Sequence, residues 1–401
     1  MSKVSAPPET VVQPDVAVGI GQPIGAGVVT ALVGFTSSFA VVLAGLTAVG
    51  ASSAQAASGL LALCVTQAAG MVLLSYRYRM PITLAWSTPG AALLASTGAV
   101  AGGWAAAVGA FALAGVLIVV TGWWQRLGDL VASIPMEIAQ AMLAGVLLPM
   151  CLAPVQSVRT SPAVVVPVIL VWLVLQRYAK RWAVLAAFVT AAVGAGISIA
   201  AGDRGLELAA LVPTVEFTVP QWNWQAMVGV AIPLYIVTMA SQNIPGTAVM
   251  KSFDYQVPWR AAMTVTGIGT VLGAPAGGHA INLAAISAAL SAAPAAHPDP
   301  KRRWIAACTA GGCYLLLALG SAALVAVVAA APKGTLETVA GLALLATLAT
   351  ALAGALRSEQ HREAGIVTFL IAASGVGFLN IGAAFWALLA GLIVRQVLKP
   401  R

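Results

Sequence analysis

Two long apolar stretches of this sequence are each interrupted by residues that do not favour a helix, and polar side chains accompany both interruptions. The first interruption reads Met-Pro-Ile-Thr-Leu-Ala-Trp-Ser-Thr-Pro-Gly over residues 80–90, and the second reads Gly-Ala-Pro-Ala-Gly-Gly-His-Ala-Ile-Asn over residues 273–282. Lipid cannot hydrogen-bond exposed backbone, so interrupted helices at membrane depth are tolerated only where they are buried in protein or line a cavity. Corresponding interruptions in the two halves of a chain therefore predict a binding site between them.

The first interruption predicts an extended stretch over residues 82–86 followed by a new helix. Pro89 disfavours helix at the residue before it, so Thr88 is predicted as the N-cap and Pro89 as the first helical residue. The start of this half-helix would present free amides and a positive dipole end, which attract an anion. The candidate binding residues here are Trp86, Ser87, Thr88 and Gly90. The alternative is a proline kink packed against its neighbours, with Trp86 filling the core.

The second interruption predicts the same arrangement with different chemistry. Residues 274–276 are predicted to be extended, and a helix is predicted to begin near His279 and to contain Asn282. His279 is the one histidine predicted at membrane depth, where an ionisable side chain is costly and usually functional. Imidazole exchanges protons near neutral pH, so His279 is a candidate proton carrier. The alternative is a neutral ring that hydrogen-bonds to backbone.

Polar residues also interrupt the first apolar segment of each half. In the later one, Tyr235, Thr238 and Gln242 share one helical face by their spacing. The candidate binding residues from these two segments are Ser38, Phe39, Tyr235, Gln242 and Asn243. For any single hydroxyl, hydrogen bonding between helices is the competing interpretation.

Glu137 is the second candidate for proton coupling. It follows Pro135 by two residues, which predicts the third position of a new helix, where the helix dipole favours a carboxylate. A structural or gating role is the alternative for Glu137, because the site is expected to lie deeper in the membrane.

The composition predicts a polytopic membrane protein that is all α-helical. The chain has 401 residues, of which 60% are hydrophobic and 8% charged, and its mean hydropathy is +0.95. The net charge of +8 comes from short basic clusters between apolar runs, which favours cytoplasmic loops over a nucleic-acid surface.

The sequence contains no pattern that points to an enzyme or to a cofactor. All four cysteines lie in apolar runs without metal-ligand spacing, and no P-loop, GxSxG or HExxH pattern occurs. We therefore expect no catalytic residues, no metal site and no cofactor.

Fourteen membrane segments are predicted, seven in each half, and the third of each half is discontinuous. The segments run over residues 26–50, 52–76, 81–98, 103–124, 135–154, 162–175 and 183–201, then 226–250, 261–273, 274–293, 304–331, 336–356, 363–379 and 381–397. Residues 1–25 are predicted as a cytoplasmic tail and residues 202–224 as an external linker between the repeats at 26–201 and 225–401.

The distribution of basic residues supports this count. With both termini in the cytoplasm, 17 of the 20 Lys and Arg residues fall on the inner side, and only Arg159, Arg204 and Lys333 fall outside. Because seven is odd, the second repeat is inverted relative to the first, and the helical parts of the two third segments should meet near the midplane.

Three motifs resemble the BenE family of benzoate/proton symporters: residues 82–94, 241–246 and 274–282. The resemblance extends from about residue 18 to 397. It implies import of benzoate or a similar aromatic carboxylate with protons across a bacterial inner membrane. The family is in turn similar to the nucleobase and sulfate transporters, which implies a core domain at about 26–124 and 225–331 moving against a gate domain at about 127–201 and 335–397. A homodimer is one candidate assembly.

The resulting hypothesis places the carboxylate between the two half-helix starts. The ring would lie against Trp86, Phe39 and Tyr235, and His279 would carry the proton. The nucleobase carriers place an acidic residue in segment eight, whereas this chain has Gln242 in that neighbourhood. The alternatives are a nucleobase or inorganic anion on the same fold, or a passive anion channel.

Overall fold

A computed structural model describes residues 19–200, 212–285 and 287–398, and in these ranges the chain is mostly helical. The first half comprises α1 (Gly21–Thr36), α2 (Phe39–Ala48), α3 (Ser53–Tyr78), β1 (Leu84–Trp86), α4 (Thr88–Thr97), α5 (Gly103–Trp123), α6 (Gln125–Ala132), α7 (Met136–Ser157), α8 (Pro162–Tyr178) and α9 (Ala183–Ala200). The second half comprises α10 (Trp224–Ser252), α11 (Trp259–Gly273), β2 (Ile281–Leu283), α12 (Ala288–Ala292), α13 (Trp304–Leu319), α14 (Ser321–Ala330), α15 (Thr335–Ala355), α16 (Arg362–Ser374) and α17 (Ala383–Val397).

Each predicted membrane segment corresponds to a helix, a helix pair or a break in the described ranges. Within the described ranges, five helices (α3, α5, α7, α10 and α15) and the pair α1–α2 are long and apolar enough to cross a bilayer. A seventh span is formed if α13 and α14, which meet at a 54° bend, count as one. Three further apolar helices (α8, α9 and α17) are shorter. The polytopic all-α prediction is confirmed. Most of the predicted N-terminal tail and residues 201–211 of the linker lie outside the described residues.

Two predicted helices contain irregular turns. The first predicted segment is broken at Ser37–Ser38, which separates α1 from α2. In α10, the turns at Met227–Ala231 and Met239–Asn243 are π-helical, and each lies just before a proline. Proline has no N–H and clashes with the carbonyl four residues earlier, so an extra residue in the preceding turn relieves both problems. The second of these π-helical turns contains Gln242 and Asn243, two of the candidate binding residues.

Small residues bring the long helices into close contact. Gly115 of α5 and Gly267 of α11 face each other's backbone so closely that a Cβ on either would lie within 3 Å of the opposing carbonyl oxygen. Gly341 of α15 meets Met150 of α7 in the same way. Such contacts favour association in lipid, where no hydrophobic force drives helices together. These contacts lie within the predicted core and gate domains respectively, and the domain division itself stays a prediction.

The two interrupted segments come together as strands. β1 and β2 form a two-stranded antiparallel sheet in which Leu84 pairs with Leu283, Ala85 with Asn282 and Trp86 with Ile281. The predicted meeting of the third segments is therefore realised through their extended parts, whereas we had expected their helical parts to meet. Strand pairing satisfies the backbone groups that two breaks would otherwise leave buried and unpaired.

The internal structure of the second break differs from the prediction. Residues Ala274–Ala276 form a 3-10 turn that continues α11, and His279 and Asn282 lie in extended chain and not in a helix. The half-helix is α12, which begins only at Ala288. In the first break the prediction is off by one residue, because Ser87 and not Thr88 is the N-cap.

Candidate functional site

The paired strands β1 and β2 form the centre of the candidate site. Beyond the ladder, the Ser87 N–H donates to the Ala280 carbonyl at 2.8 Å, and the Ala284 N–H donates to the Thr83 carbonyl at 2.9 Å. These two bonds are equivalent under exchange of the strands, as the predicted inverted repeat requires. The sheet therefore fixes the start of α4 relative to the second break.

Ser87 connects the start of α4 to α10. Its hydroxyl oxygen accepts hydrogen bonds from the Gly90 N–H at 3.1 Å and from the Thr238 hydroxyl at 2.8 Å. A Cβ at residue 90 would collide with Leu234 and lie 2.7 Å from the Ser87 hydroxyl oxygen. Only glycine at this position lets α10 approach the helix start so closely.

Two buried asparagines connect β2 to α10 and to the start of α4. The Asn243 side-chain oxygen accepts from the Leu283 N–H at 2.8 Å. In the amide orientation that satisfies both of its atoms, Asn282 donates to the Leu283 carbonyl at 2.8 Å and accepts from the Ser87 N–H at 3.0 Å. Ser87, Asn243 and Asn282 thus form one network with Thr238. These side chains are buried, and their polar atoms already have hydrogen-bond partners within the protein. Their role is therefore to position the backbone of the two interrupted segments.

Trp86 belongs to a packed aromatic cluster. Its indole N–H donates to the Ser38 hydroxyl at 2.8 Å, and its ring packs edge-on against Phe35 at 5.6 Å and Tyr314 at 5.9 Å between centroids. Phe39 stacks on Phe35 at 5.4 Å. Trp86 is 2% exposed. In this conformation the indole therefore fixes the Ser37–Ser38 turn against β1. It is buried and is not part of the accessible surface of the site.

Accessible polar groups occur beside the network. Thr88 and Gln242 are half-buried, and so is Ala85 of β1. Pro89 has no N–H and the Gly90 N–H is bonded to Ser87, so the Thr88 N–H is the free amide in the first turn of α4 among the described residues. An amide at a helix start beside a hydroxyl and a carboxamide suits a carboxylate.

His279 lies near the sheet but outside the Ser87 network. It is 1% exposed, and its ring packs edge-on against Phe111 of α5 at 6.4 Å between centroids. Neither ring nitrogen has a hydrogen-bond partner in the described part of the chain. A buried imidazole without partners is costly, which sets His279 apart from the satisfied polar groups around it.

Two predicted residues remain, Tyr235 and Glu137. The Tyr235 hydroxyl is buried and hydrogen-bonded to the Thr121 hydroxyl of α5. Glu137 is the second residue of α7, one position earlier than predicted, and its carboxylate is 4.0 Å from the His361 ring. Arg395 in turn donates to that ring at 3.4 Å. Glu137 therefore belongs to a polar cluster at the end of the predicted gate helices, in a different part of the fold from the paired strands.

Sequence reasoning missed the roles of Thr238 and Tyr314. The spacing of Thr238 from Tyr235 and Gln242 was the available signal, but it could not identify Ser87 as the hydrogen-bond partner. Tyr314 had no local signal, because its contact with Trp86 joins α13 to β1.

Comparison with known proteins gives consistent results. A family model described as benzoate membrane transport protein (BenE) matches residues 21–397. The inner membrane protein YdcO of Escherichia coli K12 is 38% identical over 377 residues, which cover 93% of this chain and 95% of that protein. A benzoate membrane transport protein of Acinetobacter baylyi is 30% identical over 339 residues, which cover 82% of this chain and 83% of that protein.

Solved structures share the fold at low sequence identity. The transmembrane domain of the cyanobacterial bicarbonate transporter BicA aligns with a TM-score of 0.61 and 18% identity, covering 94% of this chain and 97% of that one. The structure of SLC26A9 aligns with a TM-score of 0.62 and 13% identity, covering 95% of this chain and 66% of that one. The inverted-repeat transporter fold is therefore confirmed.

Proposed function

The chain belongs to the BenE family and is a membrane transporter with the fold of BicA and SLC26 proteins, and from this premise we propose that it imports benzoate or a similar aromatic carboxylate together with protons. The observation that carries the proposal is the free start of α4, held open beside the paired strands by Ser87 and Thr238. The name of the Acinetobacter relative supports an aromatic carboxylate as the substrate.

The candidate residues divide into two roles. The substrate carboxylate accepts hydrogen bonds from the Thr88 N–H and hydroxyl and from the Gln242 carboxamide. These are the half-buried polar groups beside the network. The buried side chains position these hydrogen-bonding groups. The polar ones, Ser38, Ser87, Asn243 and Asn282, fix the backbone around the site. The aromatic ones, Trp86, Phe39 and Tyr235, form the apolar wall for the ring. Gly90 keeps the helix start accessible.

Proton coupling follows from the charge of the substrate. Carboxylic acids have pKa values of about 4, so the substrate is an anion at neutral pH. Its entry against an inside-negative potential costs about 2.3 kcal/mol per 100 mV. One proton per carboxylate removes this cost. His279 is the proposed carrier, because both of its ring nitrogens are buried without partners. The cluster of Glu137 and His361 is the second candidate.

Alternating access would come from motion of the predicted core domain against the gate domain. The core carries both breaks, and α7, α15, α16 and α17 of the gate pack against one another. The distribution of basic residues supports cytoplasmic termini, and the name of the Escherichia coli relative supports the inner membrane.

Competition for uptake of labelled benzoate into proteoliposomes tests the substrate. We expect substituted benzoates to compete. Benzamide should fail because it lacks the carboxylate, and acetate should fail because it lacks the ring. Inorganic anions are the specific alternative, since BicA is a bicarbonate transporter by name. Competition by bicarbonate or sulfate, with none by substituted benzoates, would contradict the proposal. Protein-free vesicles give the background, because the neutral acid crosses lipid unaided.

A further inference from the structure

A groove between the ends of α3, α5 and α11 has no place in the transport site. It has a volume of about 530 Å³ and is lined by Tyr78, Trp123, Pro258, Trp259, Arg260 and Thr264, among others. This volume lies within the range of about 300–1,000 Å³ typical of small-ligand sites. Three of the six residues named are aromatic with polar edges. The positive-inside pattern predicts that this end of the core domain faces the cytoplasm.

Arg260 is held in this groove by Trp123. The guanidinium carbon lies 3.4 Å from the centroid of the indole ring, and the indole N–H donates to the Thr264 hydroxyl at 2.9 Å. Trp123 is 61% exposed, so this stacked pair lies at the surface. Stacking orients the guanidinium and leaves its N–H groups at the ring edge.

The charge in this groove is uncompensated. Arg260 forms no ion pair in the part of the chain that the structure describes, and none of the lining residues is acidic. A second guanidinium, that of Arg77, lies 5.4 Å from the ring of Tyr78. A planar, oriented guanidinium favours a phosphate group, which it binds through two parallel hydrogen bonds.

We propose that this groove binds an anionic phospholipid, with the phosphodiester on Arg260 and the headgroup between Trp123, Trp259 and Tyr78. The lipid is favoured over a soluble anion because exposed apolar side chains continue from the groove along α11. Ile268 is 47% exposed and Leu272 is 70% exposed. An acyl chain would cover these side chains. The site is independent of the transported substrate.

Native mass spectrometry of the purified full chain, titrated with phosphatidylglycerol or phosphatidylcholine, tests the proposal. Arg260→Gln should weaken phosphatidylglycerol binding about fivefold, the effect of one basic residue at an anionic surface. Trp123→Ala should also weaken phosphatidylglycerol binding, although it leaves the charge of Arg260 in place. Arg302→Gln is the matched control, because it removes an exposed arginine on the same predicted side, and it should leave binding unchanged.

Three results would overturn the proposal. An equal loss of phosphatidylglycerol binding in Arg260→Gln and Arg302→Gln would mean that the lipid is attracted to the basic surface in general. Phosphatidylcholine binding as tight as phosphatidylglycerol binding would mean that the net negative charge of the lipid plays no role. Displacement of the lipid by inorganic phosphate alone would mean a soluble-anion site. Unchanged thermal unfolding of both groove variants would show that a loss of lipid is not a loss of fold.

Discussion

At the scale of single residues, Ser87 joins three parts of the chain. Its N–H donates to Ala280, and its hydroxyl accepts from Gly90 and from Thr238. A small hydroxyl side chain can act as the helix cap and at the same time accept a bond from the neighbouring helix. Because Ser87 occupies the Gly90 amide and Pro89 has no N–H, the Thr88 amide is the one left without a partner in the first turn of α4 among the described residues.

Ser87→Ala should therefore destabilise the protein and impair uptake. Loss of an N-cap costs about 1 kcal/mol, and the Thr238 hydroxyl would also lose its buried acceptor. Thermal unfolding in detergent measures the first effect and labelled benzoate uptake the second. Ser96→Ala is the matched control, because within the described ranges the Ser96 hydroxyl bonds only to the Leu93 carbonyl of its own helix. Equal effects of the two substitutions would remove the special role of Ser87.

Gln242→Glu tests the proposed carboxylate contact. A second carboxylate beside the substrate would repel it, so the KM for benzoate at neutral pH should rise on the order of tenfold, or ~1.4 kcal/mol. The effect should shrink as external pH falls and the new side chain is protonated. Gln242→Leu removes the polar group without adding charge and should give a smaller rise. A KM that is unchanged in Gln242→Glu would place the carboxylate elsewhere.

At the scale of elements, the short half-helix α12 depends on Arg303. This side chain is 5% exposed and donates to the carbonyls of Ala292 at 2.8 Å, His297 at 2.7 Å and Pro298 at 3.3 Å. Ala292 is the last residue of α12. One guanidinium thus satisfies the end of the half-helix and fixes the loop that follows it.

Arg303→Gln should destabilise the protein more than any exposed arginine substitution. It leaves buried carbonyls unsatisfied, at about 1–3 kcal/mol each. Arg303→Lys keeps the charge but loses the planar fork, so it should be intermediate. Thermal unfolding measures the series, with exposed Arg302→Gln as the control. Equal melting temperatures for Arg303→Gln and Arg302→Gln would contradict this anchoring role.

The sequence predicted the first break closely and the second only in outline. In the first, Pro89 acts locally, so the helix start could be anticipated to within one residue, and the strand Leu84–Trp86 falls within the stretch predicted to be extended. In the second, the extended form of Ile281 and Leu283 depends on remote partners. Ile281 donates to Thr270 and Leu283 donates to Asn243. No property of residues 279–283 alone distinguishes this strand from a helix.

At the scale of the whole molecule, the charge distribution and the seven-plus-seven count led to the correct fold class. The relation between domains depends on long-range contacts, which sequence patterns do not encode. Phe39 of α2 packs edge-on against Phe188 of α9 at 4.6 Å between ring centroids. This contact joins the predicted core to the predicted gate. Alternating access requires that such contacts open and close.

A cysteine pair at positions 39 and 188 should therefore block transport when it is cross-linked. Cys64, Cys151, Cys308 and Cys313 must first be replaced. Relative to the reduced double variant, uptake should fall when a bifunctional methanethiosulfonate reagent cross-links Phe39→Cys/Phe188→Cys, and it should recover with reductant. A pair at Trp123 and Thr264, which both lie in the predicted core, is the control and should stay active. Full activity of the cross-linked 39/188 protein would mean that these helices do not separate during transport.

The voltage dependence of benzoate uptake tests the central proposal of proton-coupled import most directly. The measurement is the initial rate of labelled benzoate uptake into proteoliposomes, corrected for protein-free vesicles, at clamped membrane potentials with and without an inward proton gradient. We predict that external acid raises the protein-dependent rate and that an inside-negative potential does not slow it, because at least one proton accompanies each carboxylate. A rate that ignores the proton gradient and falls as the interior becomes more negative would contradict the proposal and indicate a passive anion pathway.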